Sequence, residues 1–331
     1  MFRFVLCLML CIVPAFSAVP VIFDTDMGND VDDALAIAML HTLEDRGECK
    51  LLGVTLTNAH KDAPDYIHMV NRFYGRPNIA VGAALRAIKE GDRDGFLSAP
   101  LQAAPVSLRI RNRMAQQNAV VVLRRLLAES KEKVVLIQVG FSTNLAALLD
   151  SPPDQISNLS GKDLVKQKVS LLSTMAGEFT GPTPEYNVRL DIPSAKKVFE
   201  EWPTPIVFSG FEIGRALKYP ALSIEKDYKY VAWHPIEASY RAYAKMPYDR
   251  PTWDLTSVLY AVRPDHGYFD LSEPGAVTVD AKTGSTAFAA SAQGNSRYLK
   301  IPTGGNARIL EALTMLSSQP PLSLTKTNKA K

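Results

Sequence analysis

Apolar positions along this chain come in blocks separated by polar loops. Val19–Phe23 is a short continuous apolar run, ended by Asp24-Thr-Asp-Met-Gly28, and apolar residues then recur at helical spacing from Asp32 to Leu43. The pattern predicts a strand, a loop and an amphipathic helix. Leu51–Leu56 predicts a second strand, Ala63–Tyr74 a helix, and Ile79–Gly82 a short strand after the Gly-Arg-Pro turn. Val120–Ser130 reads as a helix, Val134–Val139 as a strand, Leu145–Asp150 as the start of a helix and Val169–Thr174 as a strand. Pro193–Trp202 and Pro205–Ser209 repeat the helix and strand once more. Continuous apolar strands need cover on both faces, and the helices between them supply it. The expected fold is α/β: a doubly wound, mostly parallel central sheet with helices on both faces. Ligands of such sheets sit at the carboxyl ends of the strands.

The two ends of the chain depart from this alternation. Arg3 precedes the apolar run Phe4–Val13, and small residues follow around Ala15-Phe-Ser17-Ala18, the layout of a secretory signal peptide too short to span a membrane. Leu10 before Cys11 is not the small residue that precedes a lipid-modified cysteine, so a soluble exported protein, secreted or periplasmic, is expected. The organisation expected is a signal peptide over 1–18, one α/β domain over 19–318 and a polar, Lys-rich disordered tail over 319–331. Ala83–Val106, rich in small and charged residues, reads as a flap. Removing the signal takes Cys7 and Cys11 with it and leaves only Cys49. The mature chain then has no intramolecular disulfide and relies on its core.

Composition supports a large core: 47% of the 331 residues are hydrophobic and 21% charged, which excludes a disordered chain. Lys and Arg total 37 against 34 for Asp and Glu, so no basic footprint for nucleic acid is present, and no second apolar span suggests a membrane role.

The chemistry concentrates in Asp24-Thr-Asp-Met-Gly-Asn-Asp-Val-Asp-Asp-Ala-Leu-Ala36, with five carboxylates in ten residues where a strand hands over to a helix. Helix capping accounts for one or two of them. Five after a buried strand call for a cation, and oxygen ligands without sulfur favour Ca²⁺ or Mg²⁺ over zinc. The loop is not an EF-hand, because Gly28 falls at the fifth place and the final glutamate is missing.

With this loop the sequence resembles the inosine–uridine-preferring nucleoside hydrolase family, whose hallmark is an Asp-x-Asp-x-Gly-x-Asp-Asp-Ala segment after the first strand. Gly140-Phe-Ser-Thr-Asn-Leu145 is similar to the family's Thr-Gly-x-Leu-Thr-Asn turn, Met175-Ala-Gly177 to its Met-Gly-Gly, Glu185-Tyr-Asn187 to its Glu-Phe-Asn, and Trp253-Asp254 to its His-Asp. These landmarks span Val19–Val262; from Arg263 onward the match is loose. The resemblance implies a Ca²⁺-dependent N-glycosyl hydrolase that splits ribonucleosides into base and ribose. It implies Ca²⁺ ligation by Asp26, Asp33, Asp254 and the Val139 carbonyl, with Asp26 also deprotonating the attacking water. It assigns the ribose to Asn58, Met175, Glu185 and Asn187, together with either Asp30 or Asp32, because two extra residues between Gly28 and Asp32 leave the register open. By analogy it also implies a homodimer or homotetramer.

Trp253 stands where many members carry the histidine that protonates the departing base. An indole is no general acid, but it can stack on a purine. His60, His234 and His266 are the candidates to replace the acid, although a lone histidine is more often structural. Two other readings compete: an exported nucleoside- or sugar-binding protein without turnover, and a haloacid-dehalogenase-like phosphatase built on Asp24-Thr-Asp26.

Overall fold

The computed structural model describes residues 18–88, 96–109 and 116–324, where the expected alternation becomes one large sheet. In chain order the strands are β1 (Val19–Thr25), β2 (Cys49–Asn58), β3 (Ala80–Ile88), β4 (Gln117–Asn118), β5 (Val134–Gln138), β6 (Val169–Met175) and β7 (Ile206–Ser209). They continue as β8 (Lys218–Tyr219), β9 (Arg250–Pro251), β10 (Asp270–Leu271), β11 (Gly275–Val279), β12 (Thr286–Ala290) and β13 (Ser296–Lys300). The helices are α1 (Asp32–Asp45), α2 (Ala63–Phe73), α3 (Ser98–Ala103), α4 (Ala119–Glu129), α5 (Thr143–Asp150), α6 (Gly161–Lys168) and α7 (Tyr186–Leu190). After these come α8 (Ile192–Glu201), α9 (Phe211–Ala216), α10 (Ala221–Lys226), α11 (Pro235–Tyr243), α12 (Trp253–Val262) and α13 (Asn306–Ser318).

The strand order β4-β3-β2-β1-β5-β6-β7-β13 is parallel throughout, and β11 and β12 extend its far edge antiparallel. The chain builds outward from β1 to β4, then returns to the other side of β1 with β5. The order reverses there, and the carboxyl ends of β1 and β5 frame the crevice in which such sheets bind ligands. Alternation along β1 divides the core in two. Val21 and Phe23 join a layer with α1, α2, α11, α12 and α13, while Ile22 faces α4, α5, α6 and α8.

Several expectations change. The helix starting at Asp32 is not amphipathic: every residue from Asp32 to Leu43 is buried, because α12 and α13 cover the face that the sheet leaves open. Leu145–Asp150, expected to start a helix, instead ends one: α5 begins at Thr143 and stops at Asp150, before Pro152 and Pro153. The described part of Ala83–Val106 is anchored, since Phe96 and Leu97 are buried and Phe96 meets Tyr243 edge-on at 5.3 Å. Residues 1–17 of the expected signal peptide lie outside the described residues. At the other end, Gln319 accepts from Arg46 at 2.8 Å and the Leu322 N–H donates to Asp45 at 2.8 Å, so the first residues of the expected tail lie against the end of α1. Residues 325–331 lie outside the described part. No described helix is long and apolar enough to cross a membrane.

Candidate active site

The acidic loop leaves β1 into the crevice, and two glycines let it pass. Gly28 has φ +119°, and a Cβ there would lie 2.7 Å from the Cβ of His60. At Gly140, just past β5, a Cβ would lie 2.5 Å from the backbone nitrogen of Asp26. The loop therefore packs directly onto the β5 exit. α1 begins at Asp32, so Asp32 and Asp33 occupy its first turn, where the helix dipole favours negative charge.

The five aspartates do not act as one group. Asp24 is a buried brace: its Oδ1 accepts from Thr55 Oγ1 at 2.5 Å and from Asn144 Nδ2 at 2.7 Å, tying β1 to β2 and α5. Asp30 pairs through both oxygens with Arg250, whose Nε lies 3.0 Å from Oδ1 and whose Nη2 donates to Oδ2. That leaves Asp26, Asp32 and Asp33, joined by Asp254 from the first turn of α12. Asp24 and Asp30, neither of which the resemblance places among the cation's ligands, have hydrogen-bond partners of their own, although Asp24 Oδ2 is buried without one among the described residues. Asp32 is buried beside Asp33 and Asp30 is paired with Arg250, and both line the cavity.

Asp32, Asp33 and Asp254 bring carboxylate oxygens within 4.8 Å of one another. The backbone N–H of Asp254 donates to Asp32 Oδ2 at 3.2 Å, and the Thr25 hydroxyl donates to Asp33 Oδ1. Asp33 Oδ2 is buried without a hydrogen-bond partner among the described residues. Burial, then mutual repulsion, pushes the carboxyls of Asp33 and Asp254 well above the usual range, and burial does the same to Asp32. Burial, opposed by the Asn29 amide 3.3 Å away, lifts Asp26 to about 8. An orphaned buried oxygen in an all-oxygen set fits a hard divalent cation. Asp26 lines the same cavity but lies outside the closest trio, so the ligand set nearest to hand exchanges Asp26 for Asp32.

The cavity holds about 430 Å³. On one side stand Val139, just past β5, and Met175, at the end of β6, with Glu185 and Asn187 at the start of α7. Glu185 caps α7, accepting from the N–H groups of Asn187, Val188 and Gly177 at 2.9, 3.2 and 3.2 Å. Burial still raises it to about 7. Asn187 Nδ2 donates to the Val139 carbonyl at 2.9 Å and to the Met175 carbonyl at 3.3 Å, bridging β5 and β6. Asn58 is not in the wall; its Oδ1 accepts from the His60 N–H at 2.9 Å instead.

The other side is aromatic. Trp253 stacks on Phe211 at 5.5 Å, and its indole N–H donates to the Phe211 carbonyl at 3.0 Å, which fixes the ring and occupies its only donor. No histidine lines the cavity. His234 is buried with Nδ1 accepting from the Ile236 N–H at 3.2 Å and Nε2 2.7 Å from Tyr230 Oη. His60 Nδ1 accepts from the Asp62 N–H at 3.2 Å, and His266 is exposed. None of the three lines the cavity.

Sequence reasoning missed Asn29, Tyr186, Phe211, Tyr243 and Arg250 in the wall. Phe211 and Tyr186 were within reach, one just past a predicted strand and the other inside Glu185-Tyr-Asn187. Arg250 carries no local signal.

Fold and site together define a doubly wound α/β protein with a carboxylate floor suited to a hard cation and an aromatic wall suited to a flat group. The sequence profile of the inosine-uridine preferring nucleoside hydrolases matches residues 21–313, and the chain belongs to that family. The match extends well past Val262, so the C-terminal segment is part of the shared domain. A haloacid-dehalogenase-like phosphatase is thereby set aside. A pyrimidine-specific ribonucleoside hydrolase of Salmonella paratyphi B is 25% identical over 224 residues, which are 63% of this chain and 65% of that protein. A plant nucleoside hydrolase shares the fold at TM-score 0.70 and 19% identity, covering 91% of this chain and 99% of that one. A purine-preferring ribonucleoside hydrolase from Gardnerella vaginalis superposes at TM-score 0.67 and 17% identity, over 90% and 98% of the two chains.

Proposed function

We propose that this protein is an exported, Ca²⁺-dependent hydrolase of the N-glycosidic bond of ribonucleosides. The observation that carries the reading is the meeting of Asp26, Asp32, Asp33 and Asp254 in one cavity with an opposed aromatic wall. Asp32, Asp33 and Asp254, with Asp26 and the Val139 carbonyl at hand, would hold the cation. When bound, it neutralises the acids and makes a coordinated water easier to deprotonate. Asp26, steadied by Asn29, takes the proton of the attacking water. Glu185, Asn187 and the floor acids grip the ribose hydroxyls, an arrangement that favours an oxocarbenium-like transition state by position and charge. Phe211 and Trp253 receive the base as a flat apolar group.

Incubation of the mature chain with a panel of nucleosides, followed by detection of free base and ribose, tests this reading. Ligand binding without base release would favour the non-catalytic binding protein. Export rests on the first eighteen residues, and N-terminal sequencing of the exported protein should start close to Val19.

A further inference from the structure

The two-residue insertion in the acidic loop has a structural consequence. Asp30, which lies in the lengthened stretch between Gly28 and Asp32, clamps one edge of Arg250 through Nε and Nη2. The guanidinium carbon lies 5.1 Å from the Tyr243 ring centroid and 5.4 Å from that of Trp253, so the group is held between two aromatics at the edge of the cavity it lines. Burial works against its charge, but the hydrogen bond and charge of Asp30 outweigh that cost and the group stays ionised. Nη1 has no partner among the described residues, although the side chain is only 25% exposed. A fixed cation with a spare donor thus stands beside the ring that would stack on the base. No histidine shares that wall.

We infer that Arg250, positioned by Asp30, binds the departing base through a ring carbonyl oxygen and selects oxo-bases such as hypoxanthine over adenine. The inference rests on the hydrolase reading. As the bond from C1′ to the ring nitrogen breaks, its electron pair leaves with the base, and in an oxo-base the negative charge spreads onto the carbonyl oxygen. An Nη1–H donor stabilises that charge without giving up its proton, and solvent later protonates the ring nitrogen. Adenine has no carbonyl and presents an amino donor at the same place, which meets another donor. Inosine and adenosine share the ribose, the purine face and N7, so their ratio isolates this contact.

The test compares wild type, Arg250→Gln and Arg250→Lys on inosine, adenosine and p-nitrophenyl riboside, with calorimetric binding of hypoxanthine and adenine alongside. Arg250→Gln is expected to lose about 100-fold in kcat/KM on inosine and less than about tenfold on the other two substrates, and to lose preferential hypoxanthine binding. Arg250→Lys keeps a charge opposite Asp30 should the glutamine variant fold poorly, and its inosine-to-adenosine ratio should still fall, because a point charge does not reproduce the fork. Equal losses on all three substrates, or an unchanged ratio in both variants, would overturn the assignment. If the wild type cleaves no riboside, the hydrolase reading fails. The base-recognition role of Arg250 is then judged by hypoxanthine and adenine binding, where equal affinities in the wild type would sink it.

Discussion

Asp254 lies 222 positions beyond Asp32 in the chain, yet its backbone N–H donates to the Asp32 carboxylate at 3.2 Å. Two helix N-termini, those of α1 and α12, converge through that contact on one point above the sheet. Each supplies about half a positive charge. That is too little for four buried carboxylates, which is why the site calls for a cation.

Metal binding should therefore be linked to pH. Without metal, Asp26 at about 8 and Glu185 at about 7 keep protons that the unfolded chain gives up near pH 4. At these two groups the folded state binds more protons, so their contribution to apo-protein stability is fullest below about pH 4 and is lost as pH rises toward 8. Thermal melts in chelator should show Tm falling by roughly 5 °C or more from pH 5 to pH 8, with Ca²⁺ restoring it most at pH 8. A Tm that rises with pH in chelator would contradict this.

Asp33→Asn should weaken Ca²⁺ binding at least about tenfold by titration calorimetry, because it replaces the carboxylate whose Oδ2 is buried and unpartnered. The substitution should also flatten the fall of apo Tm with rising pH, because it removes one of the acids that burial pushes well above its usual range. Unchanged affinity would place the cation elsewhere.

Asp26→Asn should lower kcat by about 10²–10⁴-fold while the fold survives, since an amide does not accept the water's proton. Activity within a few-fold of wild type would remove Asp26 from proton transfer.

Asp24 is expected to behave differently from its neighbours. Asp24→Ala strands the Thr55 hydroxyl and the Asn144 amide and should cost about 1–3 kcal/mol of stability, read by denaturant unfolding. Ca²⁺ affinity should change far less than in Asp33→Asn. The reverse ranking would make Asp24 a ligand.

Trp253→Ala should depress purine nucleoside cleavage strongly and p-nitrophenyl riboside hydrolysis by less than roughly tenfold, about 1.4 kcal/mol of barrier, because that leaving group needs no protonation. Stacking also predicts purine nucleosides over uridine in the wild type. Equal losses on both substrates would reduce Trp253 to a wall of the pocket.

The sequence by itself determined the alternation of strands and helices up to β7, the placement of Asp26 just past β1 and of Met175 at the end of β6, and the adjacency of Trp253 and Asp254. These are local facts: buried strands are written as apolar runs, and polar residues that follow them emerge at one end of a parallel sheet. The tertiary structure alone decided how the charges are compensated. It gave Asp24 to Thr55 and Asn144, gave Asp30 to an arginine 220 positions away, and kept Asp32 for the floor. It also buried α1 on every side under helices from the far end of the chain, and left Asn58 and all the histidines out of the cavity wall. Whether a carboxylate is paired, orphaned or solvated depends on groups distant in sequence, and no local pattern encodes which of them arrive.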